Sequence, residues 1–532
     1  MHATGNASLP RWLVLATVLL FTLSVRMDSQ QAWAATGPAP QVRMRWQDFV
    51  SGPDGAKRLA SLRAAVQKMK SLDNSPRDSA DYRRSWQYWA NIHGYYGAAS
   101  PDGTVEAQIQ YLRNNGLDRY VPYYQGIADQ SAPDATAKAI WATCQHSSDT
   151  QALNFFGWHR MYLYYFERVL RWAAADDALR LPYWDYTDPS QVTLPAEFRD
   201  KSSTFYDARR NPGLNTAAAT LNPNSTNVDA PLRQRDYFRF ENQIESNVHG
   251  YVHCTVGPTC PVAHMGDVPV AGNDPIFYLH HANIDRLWAC WQHLRPTPAG
   301  AWQDQKFSFV DETGTMQTEP VKKFLDSKSL GYVYDNFSAC ARRPAALVAS
   351  AAPTEQAAPT GGEREMAVLA TTAGIRIAHP QTSVDINLPE HKLRELSAPP
   401  EWVTTTELVL RDVTAESPPG VLFDVYIAKK DAPNERKLAG TISWFGAFRH
   451  HDGAGPEKRT LRFDVSDQLR ELGGAANASG LTVTIEATLG RVPAHPSMAA
   501  EMQAEAADAF RPQAGLQIGA IELQQETAPP VP

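Results

Sequence analysis

Histidine is the residue type whose placement in this chain suggests chemistry. Six of the 15 histidines fall into two sets of three: His93, His146 and His159, then His249, His253 and His281. His249 and His253 are four apart, so on a helix both imidazoles leave one face and can grip a single ion. His159 stands in the run Asn154 to Ala174 (NFFGWHRMYLYYFERVLRWAA), which is apolar around most of its circumference. A polar ring in such a helix needs a partner. Taken singly, each histidine reads best as a hydrogen-bonded core residue. Taken together, among Trp, Phe, Leu and Tyr and without obvious carboxylates, they would bury many imidazoles that only a shared task explains. Dizinc and diiron sites usually bring carboxylates into the coordination sphere, and no HExxH or ExxH motif occurs. Three neutral imidazoles per ion suit copper, the strongest binder of nitrogen ligands in its row. Two such copper ions side by side could take O2 between them.

The elements that must carry these rings are readable from periodicity. The run Asn154 to Ala174 predicts a helix in the middle of a core, because it is hydrophobic on nearly all sides. A second helix is expected over Pro275 to Trp291, with Asp274 as N-cap and Pro275 in the first turn. A third is expected around Glu241 to Val252. On the second helix His280 and His281 project about 100° apart, so one of the two is expected to face a metal pair.

Beyond the aromatic-rich region the character of the chain changes. Ala341 to Glu365 is Ala, Pro, Thr, Gly and Glu without periodicity, which reads as a linker. Short alternating runs follow, at Ala367 to Ala370, Glu407 to Leu410, Val421 to Ile427, Thr460 to Val465 and Leu481 to Ala487. Their spacing predicts a β-sandwich. The last dozen residues read as a polar tail. The expected architecture is a mainly α catalytic domain, a helical bundle holding the metal site, over 36–340. A linker over 341–366, a small β-sandwich domain over 367–526 and a tail over 527–532 complete it.

The first residues look like a targeting segment. Arg11 precedes the apolar run Trp12 to Val25, and Ala32-Trp33-Ala34 offers small residues for cleavage. Residues 1–35 are therefore expected to be an export signal, with an uncleaved anchor as the alternative. No other stretch could cross a bilayer, so a soluble periplasmic or secreted protein is expected. The 50 basic and 57 acidic residues give a net charge of −7 with no basic stripe, which argues against nucleic-acid binding. The five cysteines are too few for a disulfide scaffold, although Cys254 and Cys260 flank a Gly-Pro turn and could pair.

At this level the motifs resemble a known family. WHRMYLYYFE (Trp158 to Glu167), HGYVH (His249 to His253) and NDPIFYLHHANIDRLW (Asn273 to Trp288) resemble the tyrosinase and polyphenol oxidase family of type-3 copper proteins. Ile92-His93-Gly94 and Cys144-Gln145-His146 look like fungal-type members. Tyr332-Val333-Tyr334 looks like the paired-tyrosine motif that closes the family's catalytic domain. LAGTISWFGAFRH and LRFDVSDQLRELG resemble the C-terminal domain of plant-type polyphenol oxidases.

The resemblance implies that His93, His146 and His159 bind one copper and His249, His253 and His281 the other. The family's spacing to the following Asp285 favours His281 over His280. The stretch from His146 to His159 is longer than usual, implying an inserted loop around Ser147 to Gln151. Cys144 resembles the cysteine that forms a thioether to His146. Glu245 fits a glutamate that holds a water for deprotonating the phenol. The asparagine expected to assist it is replaced by Gly250, so o-diphenol oxidation is implied more firmly than monophenol hydroxylation. Val268 resembles a small residue at the substrate mouth. The implied reaction is O2-dependent oxidation of phenols to o-quinones. The β-domain is implied to cover the pocket with Trp444, Phe445 or Phe448, giving a latent precursor that a protease activates at the linker. His264, His293, His379, His450 and His451 read as structural or surface residues. A haemocyanin-like O2 carrier and a dizinc hydrolase are the competing readings.

Overall fold

The computed structural model describes residues 2, 40–94, 103–114, 116–141, 143–147, 154–261, 264–337, 365–397, 399, 403–448, 458–473 and 480–527. The expected export signal, nearly all of the expected linker, most of the expected inserted loop, His450, His451 and residues 528–532 lie outside them. No described helix is long and apolar enough to cross a membrane.

The helical part is built on α1 (Gly55–Ser71), α2 (Trp86–Asn91), α3 (Phe155–Ala174), α4 (Tyr237–Gln243), α5 (Gly250–Val256) and α6 (Ile276–Leu294). In α3, 14 of its 20 residues are buried, which puts it at the centre of the core as its all-round hydrophobicity requires. It packs against α1 on one side and α6 on another. Every residue of α6 from Ile276 to Trp291 is buried. Asp274 does not stand at the N-cap position itself, which is Pro275. Its Oδ1 nevertheless accepts the Ile276 N–H at 3.0 Å while the same carboxylate pairs with buried Arg210.

The third expected helix is continuous from Tyr237 to Val256 but not regular. Between α4 and α5 the chain makes a π-helical turn, Ile244–His249. Such turns place one extra residue in the helix and recur at functional sites. Here the turn ends on His249, so His249 and His253 still lie one ordinary α-turn apart. A disulfide between Cys254 and Cys260 follows directly, the pairing expected from the Gly-Pro turn.

The helices are tied together by buried charge. Asp285 on α6 accepts hydrogen bonds from Arg160 of α3 (2.5 Å), Tyr332 (2.7 Å) and Tyr334 (2.6 Å), with Arg43 at 3.3 Å. Arg43 also pairs with Glu167 at 2.9 Å. Burial alone would raise the Asp285 carboxyl, but Arg160, Arg43 and the two tyrosines more than offset this and hold it below the usual range.

The C-terminal part is an antiparallel sandwich. We label β1 (Ala219–Leu221), in the helical part, then β2 (Glu365–Arg376), β3 (Gln381–Asn387), β4 (Val403–Val413), β5 (Leu422–Lys429), β6 (Ala432–Ile442), β7 (Arg459–Asp464), β8 (Gly480–Thr488), β9 (Arg491–Pro493) and β10 (Gln517–Thr527). The two sheets have the orders β6-β5-β8-β3 and β7-β4-β10-β2. Their apolar faces, with Phe423, Val425, Ile427, Val483 and Ile485 in one and Leu408, Leu410, Ile518, Ile521 and Leu523 in the other, are buried. The polar-tail expectation for the last dozen residues is corrected here. Residues 521–527 belong to β10, an inner strand paired on both sides, where Ile521 faces Leu410 and Thr372. Its Gln and Glu side chains hid an alternation whose apolar half is inward.

The sandwich rests on the helices that carry His249 and His253. Gln243 donates to Glu407 at 3.0 Å, Asn247 to the Arg462 carbonyl at 3.1 Å, and Tyr251 to the Gly490 carbonyl at 2.6 Å. β9 pairs antiparallel with β1 across the same junction.

Breaking the Asp285 cluster should unfold the helical part. Asp285→Ala leaves the buried guanidiniums of Arg160 and Arg43 undercompensated, a loss of about 3–5 kcal/mol, whereas Tyr334→Phe removes one hydrogen bond, about 1 kcal/mol. Denaturant unfolding measures both, and equal midpoints for wild type and Asp285→Ala would show that the cluster does not hold the helices.

Candidate metal centre

Two groups of donor atoms gather in the helical core. The ligand atoms of His249, His253, His280 and His281 lie within 4.8 Å of one another, and so do those of His93, Cys144 and His159. The groups adjoin. The ring of His159 stacks on that of His281 with centroids 4.5 Å apart and planes 2° from parallel. His93 lies 5.6 Å from His159 and 5.7 Å from His281.

Local structure sets the direction of each ring. His93 follows the end of α2, whose first turn is capped by Ser85 accepting the Tyr88 N–H at 3.1 Å. His159 Nδ1 donates to the Phe155 carbonyl one turn earlier at 2.7 Å, His249 Nδ1 to the Glu245 carbonyl at 3.3 Å, and His253 Nδ1 to the Met265 carbonyl at 2.7 Å. A carbonyl can only accept, so these Nδ1 atoms carry the hydrogen and each Nε2 keeps a lone pair for a metal. Nε2 of His249 and of His280 are buried with no hydrogen-bond partner. Burial, with help from the neighbouring imidazoles, pushes His249, His253, His280 and His281 well below the usual histidine range, so they are neutral ligands at pH 7. A nest of neutral nitrogens without carboxylates among the grouped donors fits copper.

Several expectations need correction. His280 was expected to turn away from the pair, but its ring stands 4.8 Å from His253 and 5.3 Å from His249. The 100° offset from His281 is real; the donors simply wrap around the N-terminal half of α6 rather than lying on one side of it. Its Nδ1 bonds the hydroxyl of Tyr186 at 2.8 Å, a residue too distant in sequence to have been anticipated. His146 was expected in the first group, yet Cys144 occupies that place. Cys144 Sγ lies 3.7 Å from His159 Nε2 and is not in a disulfide. His146, on a non-helical segment, is half-exposed, and its Nδ1 donates to Glu245 Oε1 at 2.5 Å while its Nε2 is buried and unpartnered. The side chain that expectation paired with Cys144 is thus held by a carboxylate from the π-turn.

Glu245 also accepts the Ser147 N–H, so both of its oxygens are engaged by the chain. Burial works against its ionised form, but His146 and Ser147 overcome that and keep it ionised. Gly250 opens α5 and meets Ser443 of the sandwich. Val268 begins a short 3-10 segment, Val268–Asn273, and is buried rather than at an open mouth. His264, expected to be structural, is partly buried beside Asp207, Tyr120 and Arg119.

Of the three candidate covering residues, Phe445 reaches the cluster. Its ring stacks on His253 at 3.8 Å and 13°, and meets His249 edge-on at 5.4 Å. Trp444 is buried and contacts Phe448 instead. Phe277, one turn before His281, stands 4.3 Å from that ring and 4.6 Å from His93. Phe155 lies 4.7 Å from His159 and 4.9 Å from His249. Helical spacing to a histidine could have singled out both.

With this geometry in view, the chain's likeness to known proteins is informative. Residues 83–213 and 197–294 match the common central domain of tyrosinase. Tyrosinase HcTyr1 of Hahella sp. (strain CCB-MM4) is 28% identical over 77% of this chain and 87% of that protein. The chloroplastic polyphenol oxidase of Malus domestica is 26% identical over 64% of each chain, so this chain spans just under two thirds of it. Among solved structures, latent aurone synthase (polyphenol oxidase) superposes with a TM-score of 0.57 at 20% identity, covering 93% of this chain and 91% of that one. Latent apple tyrosinase gives 0.53 at 20% identity, covering 93% and 99%. These two share the fold, helical core and C-terminal β-domain together. The central-domain match and the paired histidine groups agree: residues 83–294 carry a tyrosinase common central domain, and the histidines gathered there fit a pair of copper ions.

Proposed function

We propose that the protein is a phenol-oxidising oxidoreductase that uses O2, converting o-diphenols to o-quinones and monophenols to o-diphenols, and that the uncut chain is latent. The observation that carries this reading is the face-to-face packing of His159 on His281, which joins the two groups of donor atoms into one centre. His93 and His159 would hold one copper beside Cys144, with His146 as their third ligand through its buried, unpartnered Nε2, and His249, His253 and His281 would hold the other. His280, anchored through Nδ1 to Tyr186, braces the second set. Bound there, copper supplies the redox chemistry, activating O2 and withdrawing electrons from the ring.

The chain's own work is positioning, drying and proton handling. Phe155 and Phe277 wall the centre and exclude water from it. A phenol near pKa 10 must lose its proton to bind a metal well. Glu245, held ionised, is the acceptor, at the Oε1 that also faces His146. Gly250 offers no side chain to assist it, so hydroxylation of monophenols rests on Glu245 alone while o-diphenol oxidation does not. Val268, buried as it stands, would touch a substrate only after a rearrangement exposed it.

Latency is supported by Phe445, whose ring occupies the space over His253 that an aromatic substrate would need. A protease cutting within Ala341–Glu365 is the activating partner this reading calls for, after export of the chain. The same cover would admit O2 while excluding a ring, which is what favours the second reading, a haemocyanin-like O2 carrier.

Two measurements decide between them. Purified protein should hold two copper ions per chain, and its oxidation of catechol should rise on limited proteolysis. Reversible O2 binding with no catechol turnover after cutting would establish the carrier. Replacing a ligand should remove more than an outer contact does, so His281→Ala should lower copper content and reduce turnover by more than about two orders of magnitude. Full turnover by that variant would reassign the second copper to His280.

A further inference from the structure

Gly250 has no conformational reason to be glycine. Its backbone is helical, at φ −62° and ψ −36°, inside the continuous helical stretch that carries His249 and His253. At such a position alanine is favoured over glycine. What the missing side chain permits is a close approach. A Cβ built on Gly250 would fall inside the contact distance of Ser443 Oγ and 3.5 Å from Ser443 Cβ, while its own helix would tolerate it, with the Glu245 carbonyl at 3.4 Å.

Ser443 belongs to the β-domain, directly after β6, and is fully buried. Its carbonyl is held by Arg459 at 2.7 Å, and its Oγ has no hydrogen-bond partner, so nothing about the hydroxyl's bonding explains its position. Two residues further on, Phe445 lies on His253. A second close approach grips the same helix at its other end. Gly490, at φ +76°, brings its Cα hydrogen against Thr255, whose Cβ and Cγ2 would lie 3.2 and 3.4 Å from an added methyl. Its carbonyl accepts the Tyr251 hydroxyl.

We propose that Gly250 is a notch in α5 into which Ser443 seats, and that this glycine–serine contact sets how firmly Phe445 is held over the second histidine group. The inference rests on the latency reading above and goes beyond it by naming the position that tunes closure. It also changes the meaning of Gly250: the residue serves the seating of the cover rather than the orientation of a water. One added methyl at 250 overpacks the junction. Because the helix itself gains from alanine, the whole penalty falls on the seated cover and shifts it toward the open form.

The test uses the copper-loaded full-length chain with catechol as substrate. Its first readout is the ratio of rates after and before limited proteolysis, and its second is backbone hydrogen exchange in residues 442–445. Gly250→Ala should raise the uncut rate and lower the ratio on the order of ten-fold, the size of a one-methyl overpacking effect, and should speed exchange at 442–445. The double variant Gly250→Ala/Ser443→Gly, which returns the space, should restore both the ratio and the protection. Three results overturn the proposal. A wild type equally active before and after cutting removes latency itself, and the notch with it. A latent wild type whose ratio and exchange Gly250→Ala leaves unchanged removes the notch alone. A Gly250→Ala defect that Ser443→Gly fails to reverse shows that the methyl disturbs the histidine centre directly.

Discussion

Burying several neutral imidazoles in one dry core constrains everything around them. Each ring brings one donor and one acceptor, and each buried donor must be matched. The chain does this with its own backbone: the carbonyls of Phe155, Glu245 and Met265 take the Nδ1 hydrogens of His159, His249 and His253. The Nε2 atoms converge, those of His253 and His281 lying 3.3 Å apart, close enough to share a hydrogen or a cation. Buried ion pairs add to the apolar packing that holds the helices: the Glu167–Arg43–Asp285–Arg160 network ties α3 to α6 one turn beyond His281.

Much of this was legible in the residues, for stated reasons. The helical part was readable because α3 and α6 are long and strongly patterned, and their interiors carry His159 and His281 in fixed motifs. Five strands of the sandwich were readable from clean alternation. Three were not: β3, β6 and β10 are rich in Gln, Glu, Asn, Lys and Thr, with too few apolar residues to mark an inward face. The π-turn at Ile244–His249 leaves no composition signal, because it changes hydrogen bonding and not residue type.

Within the site, the reach of Phe445 to His253 and the neighbourhood of His280 depend on long-range packing. The Tyr186–His280 bond joins residues 94 apart in sequence, and no local pattern predicts such a pair. The first histidine group differs most from expectation. The segment bearing Cys144 and His146 is irregular, and irregular backbone takes its side-chain directions from tertiary partners, here Glu245 for His146. Spacing fixes a ring's direction only where the backbone is regular.

The inner position of β10 bears on the order in which the molecule can assemble. Thr527 pairs with Glu365 and with Val403, so the sheet that underlies the cover is completed only when residues 517–527 have been made. Contacts that span such separations form late, since the loop between them must close first. During synthesis the helical part, including the motif around His281, precedes its own roof. The ring of Phe445 over His253 therefore belongs to a domain whose central strand is the last to be made.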